Sequence, residues 1–323
     1  MKKFLVLFIL CFSVYGEREF AGINNSRLAF DLTSRASYWG EADELTLQQF
    51  IGIDYNQIIS INGNDFANLT IQPFLYRIDN GYRTPGYYDD NHDWEFLFRT
   101  LTANFNFWGA DKPYLKIGHF ELPFGAEYNK NSFGELHQYG QGPKLGMKMD
   151  WGAAVGQQIG KWQYELAVTR GSGMKYRDRE DPYAITGRIG VLDDTNYVYG
   201  LSFFKGEVLK GKTTVKRELV ALDFEYFWNR KGLLIELHGG EIDEENLWGS
   251  LIEFNLTSED EGSELYVQHF YQNLEDNTLR SNAVLGVRYR FNRELTFSTQ
   301  ILKELESSME EENLFELQMR YRF

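Results

Sequence analysis

The chain has 323 residues and a formal net charge of −14, a balance that argues against nucleic acid as a partner. Its one cysteine, Cys11, lies near the start, so no disulfide framework or thiolate chemistry is expected in the rest of the chain. Aromatics make up 16% of the residues and glycine outnumbers proline thirty to six, yet no later apolar run reaches the roughly 20 residues of a membrane helix. A polar, aromatic-rich chain of this kind is either a large soluble β-protein or an outer-membrane barrel. The pattern along the chain has to decide.

Residues 1–16 read as a cleaved signal peptide: Lys2 and Lys3, an apolar run from Phe4 to Phe12, then small residues up to Gly16. Leu10 before Cys11 is too large for a lipid-anchor site, so the cysteine is expected to leave with the leader. The remainder, 17–323, reads as one all-β unit, a transmembrane antiparallel β-barrel. Segments of about ten residues alternate in polarity and are separated by connections that are short on one side and long on the other. In chain order, the outer slots hold Tyr38–Glu44, Asp79–His92, Glu121–Lys144, Gly171–Tyr183, Gly206–Thr213, Glu241–Asn246, Leu274–Leu279 and Glu304–Glu312. The inner slots hold Asn62–Asp65, Gly109–Pro113, Gly160-Lys161, Asp193–Asn196, Asn229–Gly232, Ser258–Gly262 and Asn292-Arg293. That rhythm gives about sixteen strands, with short periplasmic turns and long external loops; 14 and 18 are also compatible with the boundaries.

Several strands have a clean apolar face: Leu28-Phe30-Leu32, Val220-Leu222-Phe224-Tyr226, Leu233-Ile235-Leu237 and Ala283-Leu285-Val287-Tyr289. Leu69–Tyr76 and Trp94–Phe107 carry large apolar residues on both faces, which predicts a bulge or a subunit contact there. The last stretch alternates Phe315, Leu317, Met319, Tyr321 and Phe323 against Glu316, Gln318, Arg320 and Arg322. A strand that is greasy outside, charged inside and terminally aromatic suits barrel closure in a membrane.

Ile117–Glu127, reading I-G-H-F-E-L-P-F-G-A-E, resembles the G-x-F-x-x-P-F-G-x-E signature of the phosphate-selective porin family (the porin O and P group). The residues that carry the likeness are Gly118, Phe120, Pro123, Phe124, Gly125 and Glu127. The resemblance implies a 16-stranded, usually trimeric barrel whose third external loop, here 121–144, folds inward and narrows it. It also implies conduction of small hydrophilic solutes. Phosphate-selective members line their constriction with closely spaced lysines; this loop has Lys130 and Lys144 but also Glu121, Glu127 and Glu135, a departure from that pattern.

Period-2 counting turns Arg27, Asp31, Arg35, Lys116, Arg217, Arg288, Arg290, Arg320 and Arg322 to the inner face. Asp223, Glu225, Glu236, His238 and Glu253 join them from the middle of the chain. Such walls of opposite sign would set a transverse field across the bore. The blander reading is that inward charges pair with one another and stay solvated. Arg290 and Arg322 fall near the periplasmic end, and the acidic outer loops would favour cations at the mouth.

The histidines are His92, His119, His137, His238 and His269, none in a recognisable catalytic motif, so no enzyme activity is expected. His119 reads as a lipid-facing or subunit-contact residue. His137, in the third loop, reads as a pore-narrowing residue titrating near neutrality. The outer carboxylates lack the spacing of a calcium loop, so no metal site is expected. Aromatics fall mostly on outward faces, with Trp39, Trp108, Trp151, Trp162 and Trp228 placed for an interfacial girdle. Tyr82, Tyr87 and Tyr88 in an outer loop are the exception. The sequence thus points to an outer-membrane porin, with lipid around it, small hydrophilic solutes or anions as cargo, a homotrimer as assembly and no cofactor. The alternative is a substrate-specific channel or an adhesin-like barrel.

Overall fold

The structure, a computed structural model, describes residues 20–21, 26–79, 88, 93–109, 111–130, 132–192, 196–275, 277–307 and 313–323. The leader, Tyr82, Tyr87, His92 and most of the two outer acidic segments at 80–92 and 308–312 lie outside the described residues.

Alternation of apolar and polar side chains sends consecutive residues to opposite faces, and here sixteen long strands close into one antiparallel barrel. They are β1 (Ser26–Trp39), β2 (Glu44–Ile61), β3 (Asn64–Asp79), β4 (Glu95–Phe105) and β5 (Tyr114–Glu121). β6 (Met149–Ile159), β7 (Trp162–Thr169), β8 (Tyr183–Val191), β9 (Tyr197–Lys210) and β10 (Thr213–Trp228) follow. The circuit continues through β11 (Lys231–Ile242), β12 (Glu245–Thr257), β13 (Ser263–Leu274), β14 (Asn277–Arg290), β15 (Leu295–Ser307) and β16 (Asn313–Arg322). A two-residue strand, Phe20–Ala21, pairs with Ile61 and Ser60 at the end of β2.

β16 pairs with β1, Leu314 opposite Trp39 and Arg322 opposite Asp31, which removes the sheet edge. The Phe30 N–H donates to the Phe323 carbonyl at 2.7 Å and the Phe323 N–H to the Phe30 carbonyl at 3.1 Å. Their rings stack at 5.3 Å. The terminal aromatic is therefore part of the seam.

The rim that carries the C-terminus is called lower here. Its tightest turns, Asn62-Gly63, Gly160-Lys161 and Asn229-Arg230, use Asn and Gly at positive φ, the backbone state two-residue hairpins require. The upper rim differs from the expectation of long loops throughout. Long connections follow β3, β5 and β7, but β9 and β10 are joined by Gly211-Lys212 alone and β11 and β12 by Asp243-Glu244. Likewise β13 ends at Leu274 and β14 begins at Asn277. The polar stretches expected as loops at 206–213, 241–246 and 274–279 are mostly strand, because their backbones keep pairing: Glu207 lies opposite Lys216, and Glu241 opposite Asn246.

Leu201, Val220, Leu222, Phe224, Leu237 and Leu285 are among the apolar side chains exposed on the outer face. Buried apolar residues lie on the inner face instead. They pack against residues 122–148, which run inside the barrel from the end of β5 to the start of β6. Leu122, Phe124, Leu145 and Met147 from this segment meet Phe204, Val208, Leu219 and Leu247 of the wall. Ala126 and Tyr139 meet Leu234, Leu251 and Phe270.

The two-faced apolar stretches have the same cause. The β3–β4 register shifts at Gln72/Pro73, where proline has no N–H to give the ladder. On the inner face Phe74, Tyr76, Ile78 and Leu97 form a cluster with Phe50, Tyr88, Phe133 and Met174. These apolar residues face the inserted segment, so the lumen is not free of aromatics.

Candidate functional site

The inserted segment begins in the residues of the porin-like motif. Gly118 has φ +133, and a Cβ there would lie 1.9 Å from the Leu101 carbonyl oxygen, so strand crowding demands glycine. Phe120 is buried against Ala154 and Ala167. Beyond Glu121, Leu122 and Phe124 are fully buried, and the Pro123 carbonyl accepts from Thr186 Oγ1 at 3.2 Å. Gly125 has φ +65; its N–H donates to Ser202 Oγ at 3.0 Å, and a Cβ would lie 2.4 Å from Glu236 Oε2. The backbone thus crosses to the β9–β11 wall where only glycine fits. The short helical turns Ala126–Asn129 and Gln141–Leu145 follow.

The charges of this segment are arranged against those of the wall. Lys130 pairs with Glu225, and Lys144, buried, pairs with Glu236. Glu236 also accepts the Ala126 N–H at 2.8 Å. Arg217 donates to the carbonyls of Pro143 and Lys144 at 3.2 and 2.5 Å. On the far side the sign reverses. The Glu135 carboxylate lies 3.2 Å from Arg288 and 3.6 Å from Arg320. Its carbonyl accepts from Arg35 at 3.1 Å, and Gln318 donates to the Gly134 carbonyl at 2.6 Å. Glu127 stays within the segment, taking Lys148 at 2.8 Å, Ser132 at 2.9 Å and the Gln141 N–H at 3.1 Å.

The expected walls of opposite sign are therefore compensated locally rather than facing each other across a field. Arg320 holds Asp31 at 2.5 Å, Arg322 holds Asp54 at 2.5 Å, and Arg288 holds Glu264. Lys116 reaches Glu165 at 2.6 Å among the rings of Tyr114, Phe120 and Tyr128. Asp223 is taken by Arg188 at 2.6 Å. Glu253 accepts from the Gln268 amide at 2.7 Å, a neutral partner. His238 lies beside Glu236, its Nδ1 3.4 Å from Oε1. Arg27, exposed at the lower end of β1, and Arg290 have no ion pair among the described residues.

Three placements differ from expectation. His137 does not titrate near neutrality: burial, then Arg288 and Lys130, bring its imidazole down to about 3, and the ring stacks on Tyr266 at 3.7 Å. His119 points outward but is fully buried, because the Trp151 ring covers it at 4.9 Å and the carbonyl of Met174 caps the Trp151 indole. Its side chain is covered by this chain's own residues rather than exposed on the outer face. Trp39 packs against Leu314 and its inward-facing neighbours, not in an outer girdle.

Arg188, Glu165, Lys148 and Arg99 belong to this network although the sequence pattern did not single them out. The first two were accessible: Ile185 and Ile189 outside put Arg188 inside, and Leu166 and Val168 outside put Glu165 inside. Arg99 sits at the residue skipped in the β3–β4 register, where alternation gives no direction, and lies 4.4 Å over the Phe133 ring.

Below the segment, at the lower rim, a cavity of about 270 Å³ is lined by Gly134, Glu135, Arg290, Arg293, Glu294, Thr296, Arg320 and Arg322. Four guanidiniums share it with two carboxylates.

No protein-family model matches this chain, and no curated protein matches it by sequence. Solved structures do match by fold. OmpF of Salmonella typhi, solved in complex with daunomycin, aligns with a TM-score of 0.70 at 10% identity, covering 94% of this chain and 100% of that one. OmpT of Vibrio cholerae in its trimer form gives 0.67 at 13% identity, covering 93% and 99%. An anion-selective porin from Comamonas acidovorans gives 0.66 at 10% identity, covering 94% and 100%. At such identities the likeness speaks for the fold alone, and the fold is the 16-stranded antiparallel β-barrel of outer-membrane porins.

Proposed function

We propose that this chain is a porin of a bacterial outer membrane, delivered by its leader, through which small hydrophilic solutes or ions diffuse down their gradients. One observation carries the reading: a closed barrel that is apolar outside and charged inside, with a long segment of its own chain tied across the lumen. A closed barrel satisfies every backbone group without water, which is what a spanning sheet needs. The lower rim, with its tight turns and the C-terminus, is the periplasmic side in this reading. Residues 122–148 set the width of the passage, and no catalytic residue is required.

An anion preference is part of the proposal. The carboxylates of Asp31, Asp54, Glu165, Asp223, Glu225 and Glu236 are each in close contact with a cation, which leaves them little reach for passing cations. Arg27, Arg290 and Arg293 make no ion pair among the described residues, whereas the inward carboxylates Glu253 and Glu316, also without one, are buried and held by neutral donors. Phosphate is one candidate anion, on the strength of the Ile117–Glu127 resemblance. Trimer assembly is proposed on the same footing, the V. cholerae barrel being solved in a trimer form.

The test is the reversal potential of refolded protein in a planar bilayer under a roughly tenfold KCl gradient, of order 60 mV for ideal selectivity since each tenfold ratio is about 1.4 kcal/mol. Discrete steps with a potential on the anion side are expected. A cation-side potential would overturn the preference while keeping the channel, and folded protein without steps would overturn the channel.

A further inference from the structure

The lower vestibule has a feature that general diffusion does not need: a carboxylate of the protein's own inserted segment rests in its arginine cluster. Glu135 is held loosely there. Arg320 grips Asp31 through three hydrogen bonds of 2.5 to 3.2 Å, whereas the same guanidinium is 3.6 Å from Glu135, and Arg288 is 3.2 Å away. The neighbouring Gly134 presses so close that a Cβ would lie 2.8 Å from Arg320 Cζ, so the tip of the segment rests directly on the guanidinium. Arg290 and Arg293 line the same cavity with no ion pair among the described residues. Thr296 adds a hydroxyl.

We propose that this vestibule binds a small dicarboxylate, and that Glu135 is its tethered competitor. A guanidinium presents paired donors that match a carboxylate, so the position Glu135 occupies is already shaped for one. The second carboxylate of the ligand reaches Arg290 and Arg293, which Glu135 leaves untouched. Inorganic phosphate is a single compact group and engages one end of the cluster only. The size agrees: about 270 Å³ lies just under the roughly 300–1,000 Å³ of sites for drug-sized molecules. Glu294 on the lining repels a third acidic group, which limits the ligand to two. When the Glu135 side chain swings out, the cluster loses one negative charge, while the backbone at Phe133, Gly134 and Glu135 stays held to the wall by Arg320, Gln318 and Arg35.

The experiment is a calorimetric titration of succinate into the full-length protein, refolded in detergent, beside the E135Q and R290A/R293A variants. Removing a tethered competitor is expected to tighten succinate by about tenfold, since a short tether presents its group at an effective concentration near millimolar. R290A/R293A is expected to weaken it by about tenfold or more. The R293Q variant, altered only on the exposed turn, serves if the double variant does not fold, and is expected to weaken binding by a smaller factor. Unchanged affinity in E135Q overturns the competitor role, unchanged affinity in the arginine variants overturns the site, and phosphate binding more tightly than succinate overturns the ligand class. The inference rests on the channel reading for its second readout alone: succinate added from the lower-rim side should block KCl current more strongly than from the other. Absence of current would count against the channel and leave the titration to decide the site.

Discussion

Both limbs of the inserted segment return to one wall carboxylate. The Ala126 N–H donates to Glu236 Oε2 at 2.8 Å and the Lys144 ammonium pairs with Oε1, both fully buried. Breaking a buried pair by removing one partner strands the other charge and typically costs about 3–5 kcal/mol, more than most single contacts. Glu236→Ala is therefore expected to release the segment while the wall stays closed. Trypsin should then cut after Lys130 or Lys144 in the folded variant and spare the parent, and resistance in the variant would show that apolar packing suffices. Position 236 itself was legible, since Leu233, Ile235 and Leu237 outside force Glu236 inside. What it holds was not: Lys144 is 92 residues away in sequence, and alternation says which way a residue points without naming its partner.

Phe133, at the tip of the same segment, docks by aromatic contact. Its ring meets Phe50 at 5.7 Å and Phe74 at 5.4 Å, both edge-on, and Arg99 lies over it at 4.4 Å. Truncating a packed phenylalanine costs about 3–5 kcal/mol. Phe133→Ala is thus expected to loosen the tip while the Glu236 end holds, giving larger and noisier single-channel steps; steps identical to the parent would assign the tip no part in the passage. At this scale, what the sequence made legible divides along a physical line. Strands with an apolar outer face were plain, because such a face imposes strict alternation. Above the apolar band the restriction lapses: Lys205, Glu218 and Lys216 pair on the outer face at 3.0 and 3.4 Å while their backbones stay in the ladder. Such polar strand ends look like loops in sequence, which is why three upper connections were expected to be longer than they are.

The barrel as a whole depends on one seam. Deleting Phe323 removes two backbone hydrogen bonds to Phe30 and a stacked ring pair, each bond being worth about 0.5–1.5 kcal/mol net. Slower refolding and a lower unfolding temperature are expected, read from the mobility difference between heated and unheated samples in dodecyl sulfate gels; an unchanged temperature would make the last residue dispensable to the finished barrel. Closure itself could be read from the final strand. The number of strands followed from the spacing of turns, whereas the filling of the lumen was legible only as a likeness carried by eleven residues, Ile117 to Glu127. The matching of segment to wall has a consequence for descent. Most interior charges are answered within the molecule, and on the channel reading proposed above the exposed guanidiniums that are not would weigh most on what passes. If that reading holds, a lineage could exchange Arg290, Arg293 or Glu135 and alter its diet while every strand and turn stayed as it was. Selectivity in such a protein can drift quickly on a frame that hardly changes.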